Sequence, residues 1–302
     1  MSTQEDINIY RTFVNKQIGI SISFPEAGEL PETANCDLIL AKKREIVRYL
    51  QYAGITIGFG GDFRSQESGG ITLTMMSQLS ADNSLQKFYQ RNLMVNYVVW
   101  PISVLVASHD YQEFQGKLHI RPVKMPSELI EDADPTEFIS PDNINNRYCW
   151  ARSLTSMRQQ MARHMDSRIA MYGKTSNYKG FHPGVVEEIY WTMRYRKPVY
   201  LLGSFGGVTS HIIEALQGGS PEVLTEEYQR KDVNRANLID YTRQKMGDDF
   251  VGPNDIISFF NEKGLERLNN GLSVEENEHL MHTNHVSEMI TLIIKGLTYI
   301  YG

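Results

Sequence analysis

Between residues 17 and 216, short runs of aliphatic and β-branched residues alternate with longer stretches of helical periodicity, and this alternation constrains the fold more than any other feature. Strands are expected at 17–24, 55–59, 96–100, 118–123, 167–171 and 198–202. In the first of these, Ile18, Ile20 and Ile22 alternate with small or polar residues. Helices are expected at 37–52, 71–79, 148–165, 184–195 and 208–216. The first places Ile39, Leu40, Ile46, Val47 and Leu50 at helical spacing. Strands that alternate with helices form parallel sheets, because a parallel neighbour needs a crossover long enough to return the chain to the same edge.

After Gln217 the pattern changes. Helical segments are expected at 221–231, 232–245, 254–269 and 273–300, with no strand among them. In the last, Met281, Met289, Ile290, Ile293, Ile294 and Leu297 make an apolar stripe, suited to packing on the sheet or to a homo-oligomer interface. The acidic stretch 128–146 reads as a loop. The expected class is therefore α/β: a Rossmann-like parallel sheet flanked by helices over residues 1–217, and a helical C-terminal extension over 218–302.

Several function classes are disfavoured. The formal charge is −6 over 302 residues, which argues against a broad nucleic-acid footprint. The only cysteines, Cys36 and Cys149, make neither a Cys-x-x-Cys pair nor a disulfide framework, and suit a reducing compartment. The N-terminus lacks a secretory pattern, and no apolar run approaches the roughly 20 residues that span a bilayer, so a cytoplasmic protein without membrane attachment is expected. The histidines show no zinc spacing, and there is neither a Walker loop nor a Gly-x-Ser-x-Gly elbow. No metal and no resident cofactor are expected.

The chemistry concentrates at strand ends, where open parallel sheets bind ligands. Ser21 and Ser23 close the first strand, with hydroxyls for a phosphate or ribose, or simply two half-buried serines. Gly60, Gly61, Asp62 and Arg64 follow the second: glycines for close approach, a carboxylate for ribose hydroxyls and a guanidinium for phosphate, against the plainer reading of a tight turn with a surface ion pair. Arg158 on the long helix, Lys174 in the loop 173–183, Gly184 at a helix start and Glu187 and Glu188 in its first turn form the strongest group. Amides at a helix N-terminus bind anions, although two glutamates there also simply complement the helix dipole. Gly206, Gly207 and Thr209 follow the last strand and suit a phosphate or base contact.

The order Met157-Arg158, Met161, Asp166-x-x-Ile169-Ala170, a glycine loop, then Pro183-Gly184-x-x-Glu187-Glu188 resembles the SLOG superfamily, and Gly60-Gly61 is similar to its second-strand glycine motif. That group includes the "lonely guy" phosphoribohydrolases, DNA-processing proteins, and nucleotide-sensing domains of TRPM channels and of bacterial antiphage effectors. The resemblance runs from about Ile18 to Leu216. The phosphoribohydrolases carry Pro-Gly-Gly-x-Gly-Thr-x-Glu-Glu directly after the strand, whereas here residues 174–182 intervene and the Gly-Thr pair is absent. The resemblance is closer to prokaryotic members found beside TIR or sirtuin-like modules, and implies a small NAD-derived ligand such as ADP-ribose or its cyclic forms. It implies a sensor, with a TIR- or sirtuin-type effector as a partner. The alternatives are a hydrolase of an N-glycosidic or phosphoribosyl bond, with Arg158 and Glu188 catalytic, and a scaffold with a vestigial pocket.

Overall fold

In the computed structural model, the structure describes residues 13–24, 36–64 and 92–302. Six parallel strands form one sheet in the order β4-β3-β2-β1-β5-β6. They are β1 Gln17–Ser21, β2 Thr56–Gly60, β3 Met94–Val98, β4 His119–Pro122, β5 Ser167–Met171 and β6 Val199–Leu202. The chain steps outward from β1 to β4, returns through a long helix to lay β5 against the other side of β1, then continues to β6. The strand order therefore reverses between β1 and β5, and a crevice opens there beyond the strand ends.

The helices are α1 Cys36–Tyr52, α2 Ser108–Glu113, α3 Ile144–His164, α4 Gly184–Arg194, α5 Gly207–Leu216, α6 Glu226–Gln229, α7 Val233–Met246, α8 Pro253–Lys263, α9 Val274–His282 and α10 Val286–Tyr301. Both sheet faces are covered, which is why the strands read as nearly continuous apolar runs. On one face Ile18, Ile20, Ile169 and Tyr200 pack with Ile46 and Leu50 of α1 and with Met289, Ile293 and Leu297 of α10. On the other, Val95 and Tyr97 meet Met157, Met161 and Met165, in and just after α3, while Ala170, Val199 and Leu201 meet α4, α5 and α8. Glycine lets α3 come close: a Cβ on Gly60 would lie 2.9 Å from the Met157 methyl.

The boundaries differ from the sequence reading in instructive places. β1 stops at Ser21 because its last ladder partner is Ala170, and residues 22–24 run past the sheet edge. β3 begins two residues earlier than expected, in register with Ile57 of β2. The long helix starts at Ile144, where the Asn143 side chain caps the Asn146 amide at 2.9 Å, so the loop before it is shorter than expected. The expected helix 221–231 is a 3₁₀ turn followed by the short α6, and the one expected at 254–269 stops at Gly264, whose φ is +63°. The single helix expected at 273–300 is two. Thr283 is extended, accepts the His285 amide at 3.2 Å and donates to Glu288, so α9 ends and α10 restarts. The short α2 was not anticipated, and the helix expected at 71–79 lies outside the described residues.

The C-terminal helices are fastened to the sheet. α9 packs on β6, the Tyr200 hydroxyl donates to the Asn270 carbonyl at 2.9 Å, and the Asn270 amide donates to the Val199 carbonyl at 2.8 Å. Among the described residues, no helix is long and apolar enough to cross a membrane.

Candidate functional site

At the reversal between β1 and β5, a cavity of about 190 Å³ opens at the C-terminal strand edge. Four pieces of backbone converge on it: Ile22-Ser23 after β1, Gly60-Gly61 at the end of β2, Lys174 after β5, and Gly184-Val185 at the start of α4. Arg158 and Glu188 also reach its wall, from α3 and α4.

Glu188 is positioned by a residue that strand periodicity hides. Arg168 sits in the middle of the sheet, fully buried, under a glycine: a Cβ on Gly19 would lie 3.0 Å from its guanidinium carbon. Its Nη1 donates to Glu188 Oε2 at 2.6 Å and to Ser21 Oγ at 2.8 Å, while its Nε donates to Thr192 Oγ1 at 2.9 Å. Ser21 Oγ in turn donates to Glu188 Oε2 at 2.5 Å. Burial pulls the Arg168 guanidinium down from its ordinary range, and the Glu188 carboxylate opposes that pull. A buried cation in a parallel sheet demands such a partner. The pair in turn fixes Glu188, 13% exposed, at the edge of the cavity.

Glu187 has a different task. It is 2% exposed and accepts from Arg158 Nη1 and from the Thr155 hydroxyl. The adjacent glutamates thus diverge: Glu187 faces α3 as the counter-ion of Arg158, and Glu188 faces the cavity. Gly180 and Gly184 make room for Arg158, since Cβ atoms there would lie 2.5 and 3.0 Å from its terminal nitrogens.

The loop after β5 is braced from both sides. The Lys174 amide donates to Ser23 Oγ at 3.1 Å. The Val208 amide donates to the Gly173 carbonyl at 2.7 Å, and the Thr209 amide and hydroxyl donate to the Tyr172 carbonyl at 2.9 and 2.6 Å. Gly207 has φ +63°, and a Cβ there would lie 2.7 Å from the Gly173 carbonyl oxygen. Gly206, Gly207 and Thr209 therefore shape the β5 loop from behind and do not line the cavity.

Asp62 and Arg64 are also not brought to the cavity wall. Arg64 Nε donates to Asp62 Oδ1 at 3.1 Å, and its Nη1 donates to the Leu105 carbonyl at 2.9 Å and lies 3.8 Å from Asp110. The Gly61 amide donates to the Tyr97 carbonyl at 3.1 Å. Ser21, Ser23, Gly60, Gly61, Arg158, Lys174, Gly184, Glu187 and Glu188 do gather in or directly behind the cavity.

Two residues at the site escaped the sequence reading, each with a visible signal. Arg168 is the one charge within SRIAM, a strand buried at every position. Lys43 stands in the apolar stripe of α1, four residues after Ile39 and three before Ile46; it is 3% exposed and lines the cavity. Burial alone pushes its ammonium down to about 7.

Larger cavities, of about 440 and about 620 Å³, lie off the strand edge. The first runs between the 175–179 loop and α7, with cations already engaged: Arg235 donates to the Gly180 and Phe181 carbonyls, and Lys231 pairs with Glu222. The second is lined by Glu128, Glu131, Asp132, Glu187 and Asp249 against Arg152 and Lys245, which pair with Glu128 and Asp132, so its lining is acidic on balance. The smaller cavity is the one where buried charges, glycine backbone and the strand-order reversal coincide. Its volume falls below the roughly 300 Å³ at which drug-sized pockets begin, so it encloses a fragment and not the whole of a drug-sized molecule.

The family model described as SLOG cluster2 matches residues 12–280. No curated protein matches the chain.

Proposed function

The chain belongs to the SLOG superfamily, and from that premise we propose that it binds a small adenine- or NAD-derived nucleotide, of the ADP-ribose or cyclic ADP-ribose type, between the ends of β1 and β5. The observation that carries this reading is the fixed Glu188 carboxylate beside a cationic, glycine-lined wall. A carboxylate held by Arg168 and Ser21 keeps a lone pair for ribose hydroxyls. Lys174 and the first amides of α4 supply the positive potential that phosphate requires, beside Arg158 in its pair with Glu187. Glu188 and Arg158 are held before any ligand arrives, which lowers the ordering cost of binding.

The reading extends to a sensor in antiphage nucleotide signalling, with a TIR- or sirtuin-type effector as partner and a homo-oligomer as the responding assembly. A ligand shifts such an assembly only as far as it prefers one state. One observation favours a hydrolase instead: Glu188 reaches the cavity as an oriented carboxylate, placed to steady an oxocarbenium-like centre in N-glycosidic cleavage.

Thermal shift with mass spectrometry against AMP, ADP-ribose, cyclic ADP-ribose and NAD tests both readings. A ligand of the native state raises apparent stability by mass action. Stabilisation with intact ligand recovered supports the sensor; release of free base or ribose phosphate supports the hydrolase. No shift with any of the four sinks the nucleotide reading.

A further inference from the structure

Lysine on a helix ordinarily lies along apolar surface and carries its ammonium out to water. Lys43 cannot. It points from the buried stripe of α1 toward the switch-point cavity, and no hydrogen bond or ion pair to it is present among the described residues. A buried, unpaired amine costs stability, and a hydrophobic residue would fill the stripe without that cost.

The other charges at the cavity show what is missing. Arg158 is balanced by Glu187, and Glu188 by Arg168. Lys174, like Lys43, has no ion-pair partner among the described residues. Once the internal pairs are matched, Lys43 and Lys174 remain, among the described residues, as two uncompensated cations lining one cavity. A phosphate monoester such as that of AMP carries about −1.5 to −2 near neutral pH, and the diphosphate of ADP-ribose carries one negative charge on each of its two phosphoryl groups, so either matches that excess.

We propose that Lys43 is the phosphate-binding cation of this site, seating a phosphoryl group of the ligand opposite the ribose that Glu188 holds. The assignment rests on the nucleotide reading above and deepens it, because it makes a phosphoryl group a requirement and gives the site a pH response. With the free ammonium near 7, a bound phosphate dianion raises it, so binding takes up a proton above pH 7. Affinity then falls as pH rises from 7 to 9, a range in which the phosphate itself remains dianionic.

The groups facing Lys43 leave it as the switch. Arg158, Lys174 and Glu188 also line the cavity. On α1, Lys42 donates to the Asn284 carbonyl at 2.8 Å, Arg44 lies one position along, and burial pushes the Cys36 thiol up. β2 brings no titratable side chain. On α10, Glu288 is engaged by Thr283 and His279, and Lys295 by Glu276. Burial pushes the Tyr172 phenol up, away from the working range.

The experiment titrates the full chain with adenosine, AMP and ADP-ribose between pH 7 and 9, for the wild type and Lys43→Met. Expected at pH 7 is a preference of wild type for AMP over adenosine of about ten- to a hundredfold, the range for a hydrogen bond to a charged group. That preference should collapse in Lys43→Met, while adenosine affinity stays within about twofold. In wild type, affinity for AMP and ADP-ribose should fall with pH; in the variant the profile should be flat. Met fills the stripe without a charge, so the variant is expected to melt no lower than wild type, and the wild-type pH profile needs no variant at all. Equal AMP affinity in both proteins, or a wild-type affinity that does not fall between pH 7 and 9, overturns the assignment and leaves the nucleotide reading intact. A wild type that binds none of the three probes overturns both.

Discussion

Replacing Glu187 by Ala should be among the most damaging single changes outside the apolar core. The substitution leaves Arg158, 7% exposed, with one of its nitrogens unpaired in the protein interior. Its Nε already lacks a partner, and the Thr155 hydroxyl loses its acceptor as well. Breaking a buried pair by removing one member costs about 3–5 kcal/mol. For a chain of 302 residues the unfolding entropy is about 0.6 kcal/mol per kelvin, so the melting temperature should drop by about 5–8 °C. The double variant Arg158→Met with Glu187→Met removes both charges and should recover most of the loss. Urea titration with linear extrapolation reads both numbers. A Glu187→Ala protein within about 1 kcal/mol of wild type would refute the reasoning, because the pair would then be solvated and Arg158 would be free to serve the cavity alone.

Other consequences follow from the same geometry. Glu188→Gln keeps the shape of the cavity but removes the charge opposite Arg168, so nucleotide affinity in calorimetry should fall by about tenfold or more; an unchanged affinity would remove Glu188 from the site. Gly207→Ala forces a positive φ and drives a Cβ to 2.7 Å from the Gly173 carbonyl, and should cost about 1–3 kcal/mol in urea titration while loosening ligand binding through the β5 loop. Burial pulls the His182 imidazole down to about 4, from an ordinary value of 6.5. The unfolded chain therefore holds the extra proton between those values: stability is full above pH 6.5 and is lost as pH falls through that window, and His182→Leu should flatten that part of a stability–pH curve. Deleting residues 286–302 uncovers Met289, Ile293 and Leu297, each worth about 1.5–3 kcal/mol, and should leave a chain without a cooperative melting transition.

The order of strands and helices was legible because period-2 and period-3.6 patterns are properties of neighbouring residues. The reversal between β1 and β5 was legible only as a rule about where ligands sit, since nothing within Gln17–Ser21 states that Ser167–Met171 lies beside it. The break at Thr283 was invisible because the apolar stripe continues through it, while the cause is a local contest won by the Thr283 hydroxyl over the helical ladder. Glu188 was singled out in sequence only through the resemblance; a turn of roughly 100° per residue sends Glu187 to Arg158 and Glu188 to Arg168. Arg64 read as a phosphate ligand, but Leu105 and Asp110, distant in sequence, hold it off the cavity wall. Lys43 and Arg168 were each a charge in an apolar pattern. Such an interruption is the sequence signal of a buried charge.

A crystal structure of the protein grown with ADP-ribose would show whether a nucleotide occupies the crevice between β1 and β5. Ligand density is expected in the cavity beside Ser23, Gly60 and Gly184, with ribose hydroxyls on Glu188 and a phosphate near Lys43 and Lys174. Density confined to the cavity between the 175–179 loop and α7, or no density in a protein saturated in solution, would contradict it.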